Sequence, residues 1–408
     1  MKIAIFTNEF PPNIYGGAGV HVDFLSKELA KLAELEIRCF GNQNEQLDHM
    51  NVLGVNPSLS HLADESNQHF KMFQNMSRNV EMAQALPQAD VIHCHTWYTH
   101  LAGIFSRELL QAPLLLTTHS LETHRPWKVE QLGNGYFLSR WIEQHAYKTA
   151  DGVIAVSQQM RNDVIEAYGV APEKVTVIHN GIDPEFYKPT FNNELLREYG
   201  INPAIPFVLF VGRITRQKGI SQLIAAAKYF NKDCQVVLCA GAPDTKEIAE
   251  ETAALIAELR KQRDGVILIS EMLPREKVKV LYTHARVFAC PSLYEPFGII
   301  NLEAMACETP VVGSYVGGIP EIIVEGSTGY LIPLHSISRT DFNPADPEAF
   351  QKDFAAKINL MLNDEALAKK MGKAGRERVL EKFSWESIAN TTFKYYEQVI
   401  ARFEKEHA

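Results

Sequence analysis

Short, continuous apolar runs alternate along this chain with longer stretches in which apolar residues recur at helical spacing. Runs such as KIAIFT (2–7) and LLLTTH (114–119) carry the Val/Ile/Leu density that a strand buried on both faces requires. The same signature marks LEIRCF (35–40), DVIHCH (90–95), GVIAVS (152–157) and VTVIHN (175–180), with helices predicted between them, for example over 18–33 and 136–149. Strands that alternate with helices in this way build βαβ units on a parallel sheet.

The stretch NGIDPEFYKPTFNN (180–193) interrupts the pattern with two prolines and several turn formers. A second strand–helix series follows: PFVLFVG (206–212), CQVVLCAG (234–241), GVILIS (265–270), ARVFACPS (285–292), PVVGS (310–314) and GYLIP (329–333). The expectation is an α/β protein of two Rossmann-like, doubly wound domains facing a cleft, residues 1–183 and 184–385. A final amphipathic helix over 386–408 is expected to pack back on the first domain. Ligands of open α/β sheets bind at the carboxyl ends of the strands, so the strand-end loops are where chemistry is sought.

A length of 408 residues fits two cores better than one. The formal net charge of −9 argues against nucleic acid as a partner, since phosphate backbones want a basic face. The six cysteines are scattered through apolar stretches without a CxxC pair, which fits packed thiols in a reducing, cytoplasmic setting. No apolar stretch is long enough to span a membrane, and the N-terminal run reads as a first buried strand.

Three strand-end loops carry candidate chemistry. In NEFPPNIYGGAGVHV, Gly16 and Gly17 precede a predicted helix, where small residues let backbone N–H groups approach a phosphate. Its glycines do not follow the dinucleotide fingerprint, and by themselves they equally describe a mobile loop. VGRITRQKGI (211–220) presents Arg213 and Lys218 at the end of a strand. Two fixed cations there suit a diphosphate leaving group, although a solvated pair of surface charges is the commoner fate. In YEPFGIINLEAM (294–305), Glu295 sits on a strand-end turn and Glu303 inside the helix predicted from Ile299. The first-turn amides near Gly298, Ile299 and Ile300 are free for a sugar hydroxyl or phosphate oxygen, and the two carboxylates can accept from hydroxyls of an elongated ligand.

VIHCHTWYTH gathers His93, Cys94, His95 and His100, but alternating strand directions and the lack of a carboxylate make a metal a weak reading. In TTHSLETHRPWK, His119 ends a strand and Arg125, Trp127 and Lys128 follow in the loop. His119 reads either as a core histidine or as a group that hydrogen-bonds substrate, while Arg125, Lys128, Trp97 and Tyr98 are candidates for a sugar-like or phosphorylated acceptor. With no D-x-D near a strand end, the charge of a diphosphate falls to Arg213, Lys218 and helix dipoles, and no metal is expected. Neither a G-x-S-x-G elbow nor an H-E-x-x-H motif is present, which disfavours common hydrolases.

These motifs together resemble the retaining glycosyltransferases of the GT-B fold, family 4, and within it the short bacterial glycogen synthase and α-maltose-1-phosphate synthase group. The resemblance runs through nearly the whole chain, from EFPPNIYGGAGVHV through HTWYTHLAG, THSLETHRPWK, VIHNGID, VGRITRQKG and LCAGAPDTKEIAEE to CPSLYEPFGIINLEAMACETPVVGSYVGGIPEII. It implies a glucosyltransferase without a bound cofactor, using ADP-glucose or UDP-glucose as co-substrate, with an α-1,4-glucan end or glucose 1-phosphate as acceptor, and allows a homo-oligomer. It also implies that Glu295 contacts the donor sugar, Glu303 the ribose, and Arg213 and Lys218 the diphosphate, joined by backbone near Gly16, Gly17, Phe297, Gly298, Ile299 and Ile300. His119 would touch the transferred glucose. A sucrose-phosphate synthase type of glucosyltransferase shares that donor site, whereas a nucleotide-sugar epimerase shares only the architecture.

Overall fold

The computed structural model describes residues 1–407 except 15, 57–68, 85, 242, 339 and 340. The chain forms two compact units: Met1–Gly181 together with Trp385–Ala408, and Ile182–Ser384.

The first unit is built on an eight-stranded sheet. Its strands are β1 (Lys2–Phe6), β2 (Glu34–Phe40), β3 (Asn44–Leu47), β4 (Met50–Val55), β5 (Val91–His95), β6 (Leu114–Thr118), β7 (Gly152–Ala155) and β8 (Val175–Val177), in the order β3-β4-β2-β1-β5-β6-β7-β8. All pairings are parallel except β3 with β4. That exception is the pair the hydrophobic pattern missed: every residue of β3 (NEQL) is exposed, so it carries no burial signal. β1, β5 and β6 are buried almost throughout, as strands covered on both faces must be.

The C-terminal helix Trp385–His407 belongs to this unit. Its Trp385, Ile388, Tyr396 and Val399 join the core formed by Ile3, Ile5, Val22 and Leu25. Gly181 is required where the chain passes this helix, because a Cβ there would lie 2.6 Å from the Trp385 ring.

The second unit has strands β9 (Phe207–Arg213), β10 (Gln235–Gly241), β11 (Val266–Ile269), β12 (Val287–Cys290), β13 (Val311–Tyr315) and β14 (Gly329–Pro333). They form one parallel sheet in the order β11-β10-β9-β12-β13-β14. The order reverses direction at β9, so the ends of β9 and β12 flank the switch point where such sheets hold ligands. Among the described residues, no helix is long and apolar enough to cross a membrane.

Candidate active site

At the switch point of the second unit, the turn after β9 and the loop after β12 are packed together by backbone. Leu293 N donates to Gln217 O at 2.9 Å. Gly219 adopts φ +64°, and a Cβ on it would lie 2.0 Å from the Pro291 carbonyl oxygen, so only glycine permits this approach. Thr215 caps the turn by accepting from Lys218 N. The result is to hold Lys218 Nζ 2.7 Å from Glu295 Oε2, which also accepts from Ser292 Oγ at 3.1 Å. Glu295 is buried, whereas the Lys218 side chain keeps 19% of its surface open. At the end of β9, Arg213 Nη1 donates to Asp244 Oδ1 at 2.9 Å and its side chain is 23% exposed.

These ion pairs fix the two cations in place. An ammonium has three N–H groups and a guanidinium five, so Lys218 and Arg213 can each keep their carboxylate and bind an anion. Gly298, at φ +106°, begins the helix Ile299–Ala306 without a side-chain cap, leaving the first-turn amides of Ile299 and Ile300 without intrahelical partners. Phe297 is different: its side chain is buried, beside Phe383, so any ligand contact at this position falls to backbone.

Glu303 lies on the same helix, and both of its oxygens are engaged: Tyr187 Oη donates to Oε1 and Tyr282 Oη to Oε2, each at 3.0 Å. Burial raises its pKa, opposed by these two hydroxyls. The remaining lone pairs of the carboxylate stay available to further hydroxyls.

In the first unit the helix Gly17–Leu29 starts at the glycine pair. Gly16 N donates to Glu9 Oε2 at 2.7 Å, and Gly19 is needed because a Cβ would lie 2.8 Å from that same carboxylate. One turn on, His21 meets the ends of β5 and β6. Its ring centroid is 4.8 Å from that of His119 and 5.4 Å from that of His95, and His95 Nδ1 is 2.9 Å from His119 Nε2. His93 lies behind them, bonded to Tyr396 Oη and Thr117 Oγ1. Burial lowers the pKa of all four rings, to about 4 for His21 and about 3 for His93, so the cluster is neutral at pH 7. The metal reading of the sequence centred on His93, Cys94, His95 and His100; the structure instead brings His95 together with His21 and His119.

The acceptor-side expectations need correction at two residues. Lys128 is buried, not an open cation, and donates to Glu122 Oε1 at 3.0 Å. Burial pulls its pKa down to about 8. Glu122 in turn receives Ser139 Oγ, and its backbone N–H donates to Glu143. Glu143 is pushed up to about 8 by burial and by the neighbouring Glu122 carboxylate. This cluster anchors the loop from inside. Trp97 is likewise core, packed with Met72 and Ile142, while Tyr98 stacks on it and stays half-buried. Arg125 remains half-buried at the loop, with Nη1 donating to Ser120 Oγ at 3.2 Å.

Residue-by-residue reading missed Asp244, Ser292, Tyr187, Tyr282, Glu9 and His21 as partners. Asp244 and His21 lie inside motifs the sequence made conspicuous; the two tyrosines had no local signal.

The chain is similar to known proteins over nearly its whole length. The family model described as Glycosyltransferase Family 4 matches residues 15–186, and that described as Glycosyl transferases group 1 matches residues 191–378. The chain is 44% identical to an alpha-maltose-1-phosphate synthase of Mycolicibacterium smegmatis, over 98% of this chain and 100% of that protein. It is 27% identical to a glycogen synthase of Mycobacterium tuberculosis, over 97% of this chain and 94% of that one. Among solved structures, a sucrose-phosphate synthase from Thermosynechococcus elongatus superposes with a TM-score of 0.77 at 26% identity, covering 98% and 99% of the two chains.

Proposed function

Because the chain belongs to the family 4 glycosyltransferases of the GT-B fold, hexosyl-transferring enzymes that take nucleotide-sugar donors, we propose that it moves glucose from ADP-glucose to glucose 1-phosphate, forming α-maltose 1-phosphate. The acceptor choice is supported by full-length similarity to the alpha-maltose-1-phosphate synthase. The observation that carries the donor side is the Lys218–Glu295 contact of 2.7 Å beside Arg213, at the switch point of a parallel sheet.

In this reading Arg213 and Lys218 bind the diphosphate, with the amides of Ile299 and Ile300 as further donors. Glu295 accepts from hydroxyls of the donor glucose, and its bond to Lys218 couples sugar binding to leaving-group binding. Glu303, oriented by Tyr187 and Tyr282, accepts from the ribose. His119, neutral because it is desolvated, offers a ring nitrogen to a glucose hydroxyl without placing a charge beside the reacting carbon. The acceptor hydroxyl attacks C1 on the face that the diphosphate leaves. The C1–O bond to phosphate breaks, a C1–O bond to the acceptor forms, and the hydroxyl proton passes to the departing phosphate oxygen. The cations act mainly on the charge that develops as the leaving group departs.

On the acceptor side, Arg125 takes the phosphate of glucose 1-phosphate, with Tyr98 beside the sugar; Lys128 positions the loop. The six cysteines, all buried free thiols, support a cytoplasmic site of action. The test offers ADP-glucose and UDP-glucose separately with glucose 1-phosphate and identifies the product. Maltose 1-phosphate from ADP-glucose is expected. Glucan elongation without the disaccharide phosphate would move the protein to the glycogen synthase side of the family, which its likeness to that enzyme makes the second reading.

A further inference from the structure

The histidine cluster of the first unit has a property that sugar contact by His119 does not require. His21 Nδ1 lies 2.7 Å from Asn180 Oδ1, a carbonyl oxygen that can only accept. The proton of the neutral ring is therefore on Nδ1, and Nε2 carries a bare lone pair. That Nε2 is buried and has no hydrogen-bond partner, and the same holds for His95 Nε2. Buried acceptors are ordinarily satisfied, so two orphaned ring nitrogens in one cluster call for something that completes them. One ligand atom each from His21, His95 and His119 lies within 4.8 Å of the others.

From this we infer that His21, His95 and His119 form a binding site for a divalent transition metal of the zinc class. Three neutral imidazoles suit zinc, copper or nickel, and the lack of a carboxylate among the three disfavours calcium or magnesium. A tetrahedral ion with Zn–N bonds of about 2.0–2.1 Å wants ligand nitrogens roughly 3.3 Å apart, so ligand atoms now within 4.8 Å of one another close in by up to about 1.5 Å. The His95–His119 hydrogen bond gives way as they do. His21 already has the arrangement usual for a metal-binding histidine, with its other nitrogen held by an outer oxygen that fixes tautomer and ring plane. His119 is half-buried, which leaves a way in.

The site would be inhibitory, because a metal on His119 occupies the nitrogen assigned above to glucose; this consequence alone rests on the proposed function. The test begins with metal-free protein dialysed against Zn²⁺, and with Co²⁺ as a visible probe. One saturable equivalent per chain is expected, with the strong absorption bands of tetrahedral Co²⁺. The variant His21→Gln should bind at least tenfold more weakly and lose those bands. Asn180→Ala, which keeps all three ligands, should weaken binding by roughly tenfold through loss of the outer oxygen. Absence of saturable binding to the wild-type protein, or unchanged affinity in both variants, overturns the site. Zn²⁺ that binds with this signature yet leaves transfer unaffected would uphold the site and count against the role given to His119.

Discussion

Two strand-end sites, one in each unit, treat buried polar groups in opposite ways. Around the end of β9, the second unit holds full charges in pairs: Lys218 with Glu295 and Arg213 with Asp244, each cation partly open to solvent. At the ends of β5 and β6, the first unit holds neutral rings whose protonation burial suppresses. In the proposed reading a departing diphosphate is met by charge already fixed in place, whereas His119 meets a glucose hydroxyl without adding charge beside the reacting carbon. The same logic explains the Glu122–Lys128–Glu143 cluster. It is charged in composition but closed, and it works as an anchor for a loop, not as a receptor.

The comparison can be broken most severely at Lys218. Replacing it with Ala removes a cation from the leaving group and strands Glu295. Transfer measured as kcat/KM for the donor should fall roughly a hundredfold, about 2.7 kcal/mol. Retention of activity within threefold would make the pair a structural ornament. Glu295→Ala should lower transfer by more than about tenfold, some 1.4 kcal/mol, and raise the donor KM, since sugar hydroxyls lose their acceptor.

Arg125→Ala tests a half-buried cation beside the buried Lys128. It should raise KM for glucose 1-phosphate several-fold and spare donor KM; equal changes in both would remove it from acceptor binding. The smallest effect is expected at Glu143. Its pKa in the folded protein is raised to about 8 by burial, so the native state binds more protons than the unfolded one between the ordinary carboxyl range and that value. Its contribution is therefore complete at low pH and is lost as pH rises towards 8. Lys128, lowered to about 8, acts in the opposite direction above that pH, where stability grows as the unfolded chain alone keeps its proton. Glu143→Gln should flatten the fall in Tm between pH 5 and 8, at about 2–4 °C for each kcal/mol removed. Parallel Tm curves for the two proteins would contradict the assignment.

Much of this architecture was legible in the chain, because strands of parallel sheets announce themselves as apolar runs. The β3–β4 pair was not, since Asn44–Leu47 is polar and exposed and its pairing is decided by the turn at Asp48–His49. The sequence offered candidates where a strand end and a motif coincide, at Arg213, Lys218, Glu295 and His119, and the structure sets Lys218 against Glu295 and His119 among the other histidines. What was hidden are partners distant in sequence. Tyr187 reaches Glu303 across 116 residues, and Glu143 meets the Glu122 backbone across 21, so neither contact is visible locally in the chain. Trp97 and Lys128 looked like acceptor residues because Trp and Lys in a loop read as surface; burial is a tertiary fact.

The most direct test of the central claim is a product analysis with ADP-glucose and glucose 1-phosphate, followed for wild type and Lys218→Ala in parallel. ADP release matched by maltose 1-phosphate with retained α configuration is expected from the wild type, and near loss of both from the variant. A product other than the disaccharide phosphate, or equal yields from the two proteins, would contradict it.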